Sequence, residues 1–302
     1  MEGEVIMFNR FGNMMPPEEA KRRPYLIDMA PFNILGNLYF VGNKWCSSHL
    51  IDTGDGLLLL DTPCASGLPG LIHNICRLNF RMEDLKYIVV SHAHSDHFGA
   101  VEALRHMTGA RAFISRVDAE DMRENPERMA SMNEDLGPFN ECFTPDVELE
   151  DGDVIELGNT KIRCVLTPGH SKGVMSHFWN LRHDGKDYKV GIYGGAGYST
   201  VSEEWLKKAG LPLSLRDAFL SSIEKVWNEP VDIMLGNHPF HNDTYRKAEK
   251  KKNGEEMAFV DPSEWRRFLL ELKSGYLNFL DTPPEEIKKQ NAVSQWSRYY
   301  RD

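Results

Sequence analysis

The run "LKYIVVSHAHSDHFGA", residues 85–100, does more than any other stretch to limit what this chain can become. Its apolar first half is too short for a membrane span or an ordinary helix and reads as a buried strand. It breaks into His92, His94, Asp96 and His97, three imidazoles and a carboxylate within six positions. Alternation along an extended backbone puts His92 and His94 on one side. Asp96 and His97 then fall on the turn into the next helix and face a second position. Small neighbours (Ala93, Ser95 and Gly99) give the backbone room to bend. Neutral imidazoles and carboxylates that converge without strain are what a zinc ion requires.

Four such residues do not complete two metal sites, and two more histidines stand at comparable places. His170 closes "VLTPGH", where Pro168-Gly169 stop a strand, and His238 closes "DIMLGNHP" before a proline. Around these points the chain is a series of short apolar strands separated by Gly and Asp turns, with helices between. "FNILGNLYFVG" reads as a hairpin around Gly36-Asn37, and "TGDG" as the turn before a buried strand at Leu57–Leu60. Helical spacing is expected at about 67–78, 100–107, 215–227 and 262–280. In the last of these, Asp261 can cap the helix, Pro262 suits its first position and Glu264 stands where a capping-box acid belongs. Two β sheets stacked face to face, with helices outside, satisfy this order. The expected division is an N-terminal extension over 1–31, a domain over 32–280 and a C-terminal tail over 281–302 carrying Trp296, Tyr299 and Tyr300.

Composition narrows the function. The formal charge is −10, from 45 acids against 35 bases, which argues against nucleic acid and anionic membranes as partners. The one basic run, "RKAEKKKNGEE" at 246–256, is diluted by glutamates and reads as a solvated loop. No segment approaches the roughly 18 continuous apolar residues of a membrane span. The N-terminal residues lack the apolar stretch of a secretory leader, so a cytoplasmic location is expected. Five cysteines, odd in number and without a CxxC pair, fit reduced thiols. A small-molecule substrate follows as the expected partner; oligomeric state is not legible.

His92-Ala93-His94-Ser95-Asp96-His97 after a buried strand, with His170 and His238 downstream, resembles the metallo-β-lactamase-fold superfamily over residues 32–280. It is most similar to the third subclass of metallo-β-lactamases, in which both zinc sites lack cysteine. The resemblance implies an α/β fold, a four-layer αββα sandwich with metals at one edge of the sheets. It implies two Zn2+ ions, one held by His92, His94 and His170, the other by Asp96, His97 and His238. Glyoxalase II and lactone-hydrolysing members carry a bridging aspartate where this chain has "GIYGGAGYST", residues 191–200, without one. The serines that third-subclass lactamases use for the substrate carboxylate are replaced here by Ala196 and Tyr198, with Ser199 one place on. Those lactamases are also exported.

The chemistry implied is hydrolysis of a cyclic amide by a hydroxide shared between two metals, with Asp96 both a ligand and the group that orients the nucleophile. Asp61, ending "LLLLDTP", is expected to fix a histidine or the metal loop from behind. Trp45 is a candidate apolar wall of the substrate pocket. Tyr198 and Ser199 are candidate hydrogen-bond donors to substrate, and His241 a candidate rim residue. Loops 117–145 and 196–214 are expected to select the substrate. The alternatives are a lactone, ester or thioester hydrolase of the same fold, and a mononuclear dioxygenase with one iron. A nuclease is disfavoured by charge, a flavodiiron-type redox protein by His94, and a non-catalytic metal module by the full ligand set.

Overall fold

The computed structural model describes Ala20, residues 23–131, residues 139–283 and Glu285. The expected tail aromatics, Trp296, Tyr299 and Tyr300, lie outside the described residues, as do most of residues 1–22.

Among the described residues, twelve strands form two sheets. The first contains β1 (Phe32–Leu35), β2 (Leu38–Phe40), β3 (His49–Asp52), β4 (Leu57–Leu60), β5 (Leu85–Val89), β6 (Arg111–Ser115) and β7 (Val147–Leu149), in that order. Strands β1 to β4 pair antiparallel, and β4 to β7 pair parallel. The second contains β8 (Val154–Leu157), β9 (Thr160–Leu166), β10 (Met175–His183), β11 (Lys186–Ile192) and β12 (Ile233–Leu235), ordered β12-β11-β10-β9-β8. The expected turns are present. Leu35 pairs with Leu38 across Gly36-Asn37, and β10 and β11 join through Asp184-Gly185, both at positive φ as a tight hairpin requires.

Three apolar layers explain the stacking. Alternation in "LLLL" sends Leu58 and Leu60 into a core shared with Ile162, Trp179 and Val190 of the second sheet, while Leu57 and Leu59 face the opposite way. That opposite face packs on the helices Leu68–Arg77, Val101–Thr108 and Arg116–Glu124 through Leu71, Leu104 and Met122. The outer face of the second sheet packs on Leu215–Lys225 and Glu264–Asp281 through Phe219, Trp265, Phe268 and Leu272. The architecture is therefore helix, sheet, sheet, helix. Burial on both faces accounts for strands that are uninterrupted apolar runs.

Three expectations about local structure are corrected. The segments expected as substrate loops contain the helices Arg116–Glu124, Pro126–Ser131 and Glu203–Ala209. Ser115 Oγ caps the first by accepting Asp118 N–H, and Ser202 Oγ caps the last by accepting Trp205 N–H. The basic run is not a loop: Thr244–Lys252 is helical and one of its lysines, Lys247, is 5% exposed. The last helix begins at Glu264, not at Pro262, and Glu264 does not serve as a capping-box acid. It pairs with Lys247 Nζ inside the protein, where Lys247 also sits over the Phe259 ring.

Burial pushes the Lys247 ammonium down and the Glu264 carboxyl up, each against the pull of its partner. Such a pair adds little net stability, but breaking it leaves one uncompensated buried group. Lys247→Met is expected to cost about 3–5 kcal/mol in urea unfolding, and Lys247→Met combined with Glu264→Leu to recover most of that. Single and double variants of equal stability would show that the pair is not coupled.

Candidate metal centre

The site gathers at one end of the sheets, where β4, β5, β9 and β12 and the β2–β3 connection all finish. Strand β4 ends at Asp61, whose φ of +58° turns the chain sharply; aspartate tolerates this left-handed conformation better than most residues. Its backbone N–H still bonds Val89 O at 2.9 Å, and Thr62 N–H bonds His97 O at 3.0 Å. The end of β4 is thereby laced to the loop that follows β5. In that loop His94 N–H reaches back to His92 O at 3.0 Å, and the short helix Ser95–Phe98 begins at once.

A buried hydrogen-bond chain then fixes the rings. Asp61 Oδ1 accepts Ser91 N–H at 2.7 Å, and its Oδ2 accepts Ser91 Oγ–H at 2.8 Å. The same Oδ2 lies 3.1 Å from His97 Nδ1. Ser91 Oγ, its proton given to Asp61, is left to accept from His92 Nδ1 at 3.0 Å. Asn237 Nδ2 braces the chain by donating to Ser91 Oγ at 3.2 Å and to Gly194 O at 3.1 Å. The other two rings are held by carbonyls: His238 Nδ1 donates to Trp45 O at 2.6 Å, and His170 Nδ1 to Gly197 O. Thr200 Oγ1 also donates to His170 O at 2.9 Å. In all four rings Nδ1 is committed, so Nε2 is the nitrogen left to face the centre.

Asp118 joins the two histidine loops. Its carboxylate accepts Ala93 N–H at 2.8 Å, Ser171 Oγ–H at 2.7 Å and Gly173 N–H at 2.7 Å. Burial raises its pKa to about 6 despite those donors. Glycines make the close packing around His170 possible: a Cβ on Gly195 would sit 2.8 Å from His170 Cδ2.

The inward atoms form two groups. Ligand atoms of His92, His94 and His170 lie within 4.8 Å of one another, and so do those of Cys46, Asp96 and His238. His97 Nε2 is 3.6 Å from Asp96 Oδ2, and His238 Nε2 is 3.7 Å from it. The donor set fits divalent metal ions. His92 and His97, at 1% and 0% exposure, have Nε2 atoms with no hydrogen-bond partner among the described residues. Orphaned buried nitrogens cost free energy unless something binds them. Burial, and then repulsion among the rings, holds His92 and His94 well below the usual imidazole range. Burial likewise lowers His170 and His238 to about 4. His97 moves the other way, because Asp96 and Asp61 outweigh its burial. Asp96 stays ionised: burial opposes its charge, but His97 and His238 more than offset that.

Residues 44–181 match the family model of the metallo-beta-lactamase superfamily. The chain carries a metallo-β-lactamase superfamily domain. Among solved structures, the metallo-β-lactamase FEZ-1 of Legionella gormanii is similar, with a TM-score of 0.74 and 28% identity over 84% of this chain and 96% of that one. BJP-1 of Bradyrhizobium japonicum, a subclass B3 metallo-β-lactamase, gives 0.77 and 25% identity over 86% of this chain and 97% of that one. A hydroxyacylglutathione hydrolase of Pseudomonas entomophila is 32% identical across 48% of this chain and 42% of that protein. The chain spans less than half the length of the curated relatives it matches, 35% of the first, a fungal lactamase-like protein of Arthroderma gypseum.

Within this metallo-β-lactamase fold, the sequence-derived ligands His92, His94, Asp96, His97, His170 and His238 converge, with Asp61 behind His97. The expected substrate residues fare differently. Trp45 is 6% exposed and reaches Asp96 Oδ2 with its indole N–H at 3.2 Å, packed on His238 and Phe240, so it forms no open wall. Tyr198 is buried against Tyr276 and Phe279, under the last helix, and faces away from the centre. Apolar packing of its ring decided the outcome. His241 is 3% exposed, packed behind His238 against Phe268, and lies at no rim. Ser199 is half-buried, and its neighbour Thr200 is the residue that meets His170.

Cys46, Ser91, Thr200, Asn237 and Asp118 touch or brace the clustered side chains, and sequence reasoning passes over them. Asn237 and Ser91 adjoin His238 and His92, and that adjacency was the available signal. Asp61→Asn retains the shape and tolerates the positive φ but weakens the hold on His97. It is expected to lower zinc affinity 10–100-fold in competition with a chromophoric chelator, with circular dichroism unchanged. Unaltered affinity would show that Asp61 serves the fold alone.

Proposed function

We propose that this protein is a dizinc hydrolase of cyclic amides, with His92, His94 and His170 at one ion and Asp96, His97 and His238 at the other. The observation that supports the proposal is the convergence of five histidines, four of which, His92, His97, His170 and His238, have their Nδ1 partners supplied by the protein. Bound in pairs, such ions supply Lewis acidity and make water nucleophilic near neutral pH. The residues of the chain do the rest. Asp61, Ser91 and the carbonyls of Gly197 and Trp45 hold the rings in one tautomer, so binding needs no rearrangement. Asp96, kept as carboxylate, lies beside His97 and His238 and can accept a proton bond from the attacking nucleophile. The indole N–H of Trp45 orients that carboxylate. No serine or cysteine nucleophile is required.

The cyclic-amide assignment rests on the likeness to FEZ-1 and BJP-1 and on residues 194–197. That stretch is Gly-Gly-Ala-Gly and lacks the bridging aspartate expected of the thioester and lactone hydrolases, and a side chain at Gly195 would meet His170. Ala196 is buried and Tyr198 faces the core, so neither replaces the serines that grip a lactam carboxylate. A small-molecule substrate suits the buried centre. No helix among the described residues is long and apolar enough to cross a membrane.

Metal content by mass spectrometry, with nitrocefin and a simple lactone assayed before and after chelation, tests the proposal. About two zinc ions per chain are expected, with nitrocefin turnover abolished by chelator and restored by zinc. Turnover of the lactone alone would move the substrate class to esters. One iron per chain without hydrolysis would overturn the mechanism in favour of a dioxygenase.

A further inference from the structure

The resemblance that first placed this chain in its superfamily implies metal sites free of cysteine, and the structure departs from that at Cys46. The Cys46 side chain is 1% exposed, and its Sγ lies 3.7 Å from Asp96 Oδ2. It shares a ligand group with Asp96 and His238, all three ligand atoms within 4.8 Å of one another. An independent observation points to the same spot. His97 Nε2, fully buried and without a hydrogen-bond partner among the described residues, stands 3.6 Å from that same carboxylate oxygen. The cysteine is also held in place. Asn43 Oδ1 accepts the N–H groups of Trp45 and Cys46 at 2.8 and 2.7 Å, and Asn43 N–H bonds Cys46 O at 3.0 Å. Ser47 N–H then bonds Asn237 O at 2.7 Å, tying the turn to the strand end that carries His238.

Resting on the metal-centre proposal above, we infer that Cys46 is a thiolate ligand of the second ion, completing a Cys46, Asp96, His97 and His238 donor set. Binding breaks the S–H bond, forms a sulfur–metal bond and sends the proton to solvent. Four protein ligands make a closed zinc site, whereas a site with three keeps a position open. The two sites then divide their work. The Cys46 site retains its ion tightly and favours thiophilic metals, and the three-histidine site supplies the exchangeable position. Cys64 is also buried but belongs to neither ligand group.

Cobalt substitution tests this with readouts other than turnover. Wild-type protein dialysed against Co2+ is expected to take up about two ions per chain and to show a thiolate-to-cobalt charge-transfer band in the near ultraviolet. Cys46→Ser should lose that band while keeping visible d–d absorption from the three-histidine site, and Cys64→Ser should keep both. Because Cys46→Ser could fold poorly, zinc-edge X-ray absorption on the wild-type protein provides a second measurement, with a sulfur shell expected near about 2.3 Å. Stoichiometric cobalt without the band, or a zinc edge without sulfur, would overturn the role of Cys46 and leave the metal centre standing. Failure to take up either metal would overturn both.

Discussion

The Asp61 carboxylate is the point on which the site depends. One residue at the end of β4 receives the Ser91 backbone and hydroxyl, and the His97 ring. Through Ser91 it also settles the proton position on His92. Two rings, His92 in one ligand group and His97 beside Asp96 of the other, are therefore oriented by one buried anion. That anion remains ionised because His97 and the Ser91 donors offset its burial. Such a network works only if every member is satisfied, and each strand end arriving at the site supplies one of its members.

The layered fold exists, from the site's point of view, to bring those strand ends together. Strands β4 and β5 run parallel in one sheet, and β11 and β12 run parallel in the other. Their termini meet at one edge because the central core, from Leu58 and Leu60 to Ile162 and Val190, fixes how the sheets stack. The connection between β2 and β3 crosses the same edge and delivers Trp45 and Cys46 to Asp96. Loops anchored at both ends by sheet can then be short and rigid, as preorganised metal ligands require.

Much of this was legible in the sequence, for a physical reason. Ligands that must converge from strand ends leave local marks: apolar runs that stop, a Pro-Gly or Gly-Asn break, and then the histidine. His170 and His238 carry all of these marks, and His92 and His94 follow an apolar run that stops at Ser91. Tyr198, Trp45 and His241 show what was not legible. Trp45 was expected as an apolar wall, Tyr198 as a hydrogen-bond donor and His241 at the rim, yet each ring was claimed by packing that no single-sequence pattern displays. The helix Thr244–Lys252 was hidden because its stripe is nearly all charged. Of its two buried residues, Thr244 and Lys247, the lysine meets Glu264 of the last helix. A tertiary ion pair of that kind has no local signature.

With the exception of His97, the protonation states already match what a cation would demand. A metal binds imidazole only when its ring is neutral, and a carboxylate only when it is charged. Here burial and mutual repulsion keep His92, His94, His170 and His238 neutral at physiological pH. Asp96 is ionised by the same neighbours. His97 alone is biased towards its charged form, by Asp96 and Asp61 on either side. A divalent ion held beside Asp96 would supply the positive charge that the proton otherwise carries. The fold thus favours a cation at His97, between Asp96 and Asp61.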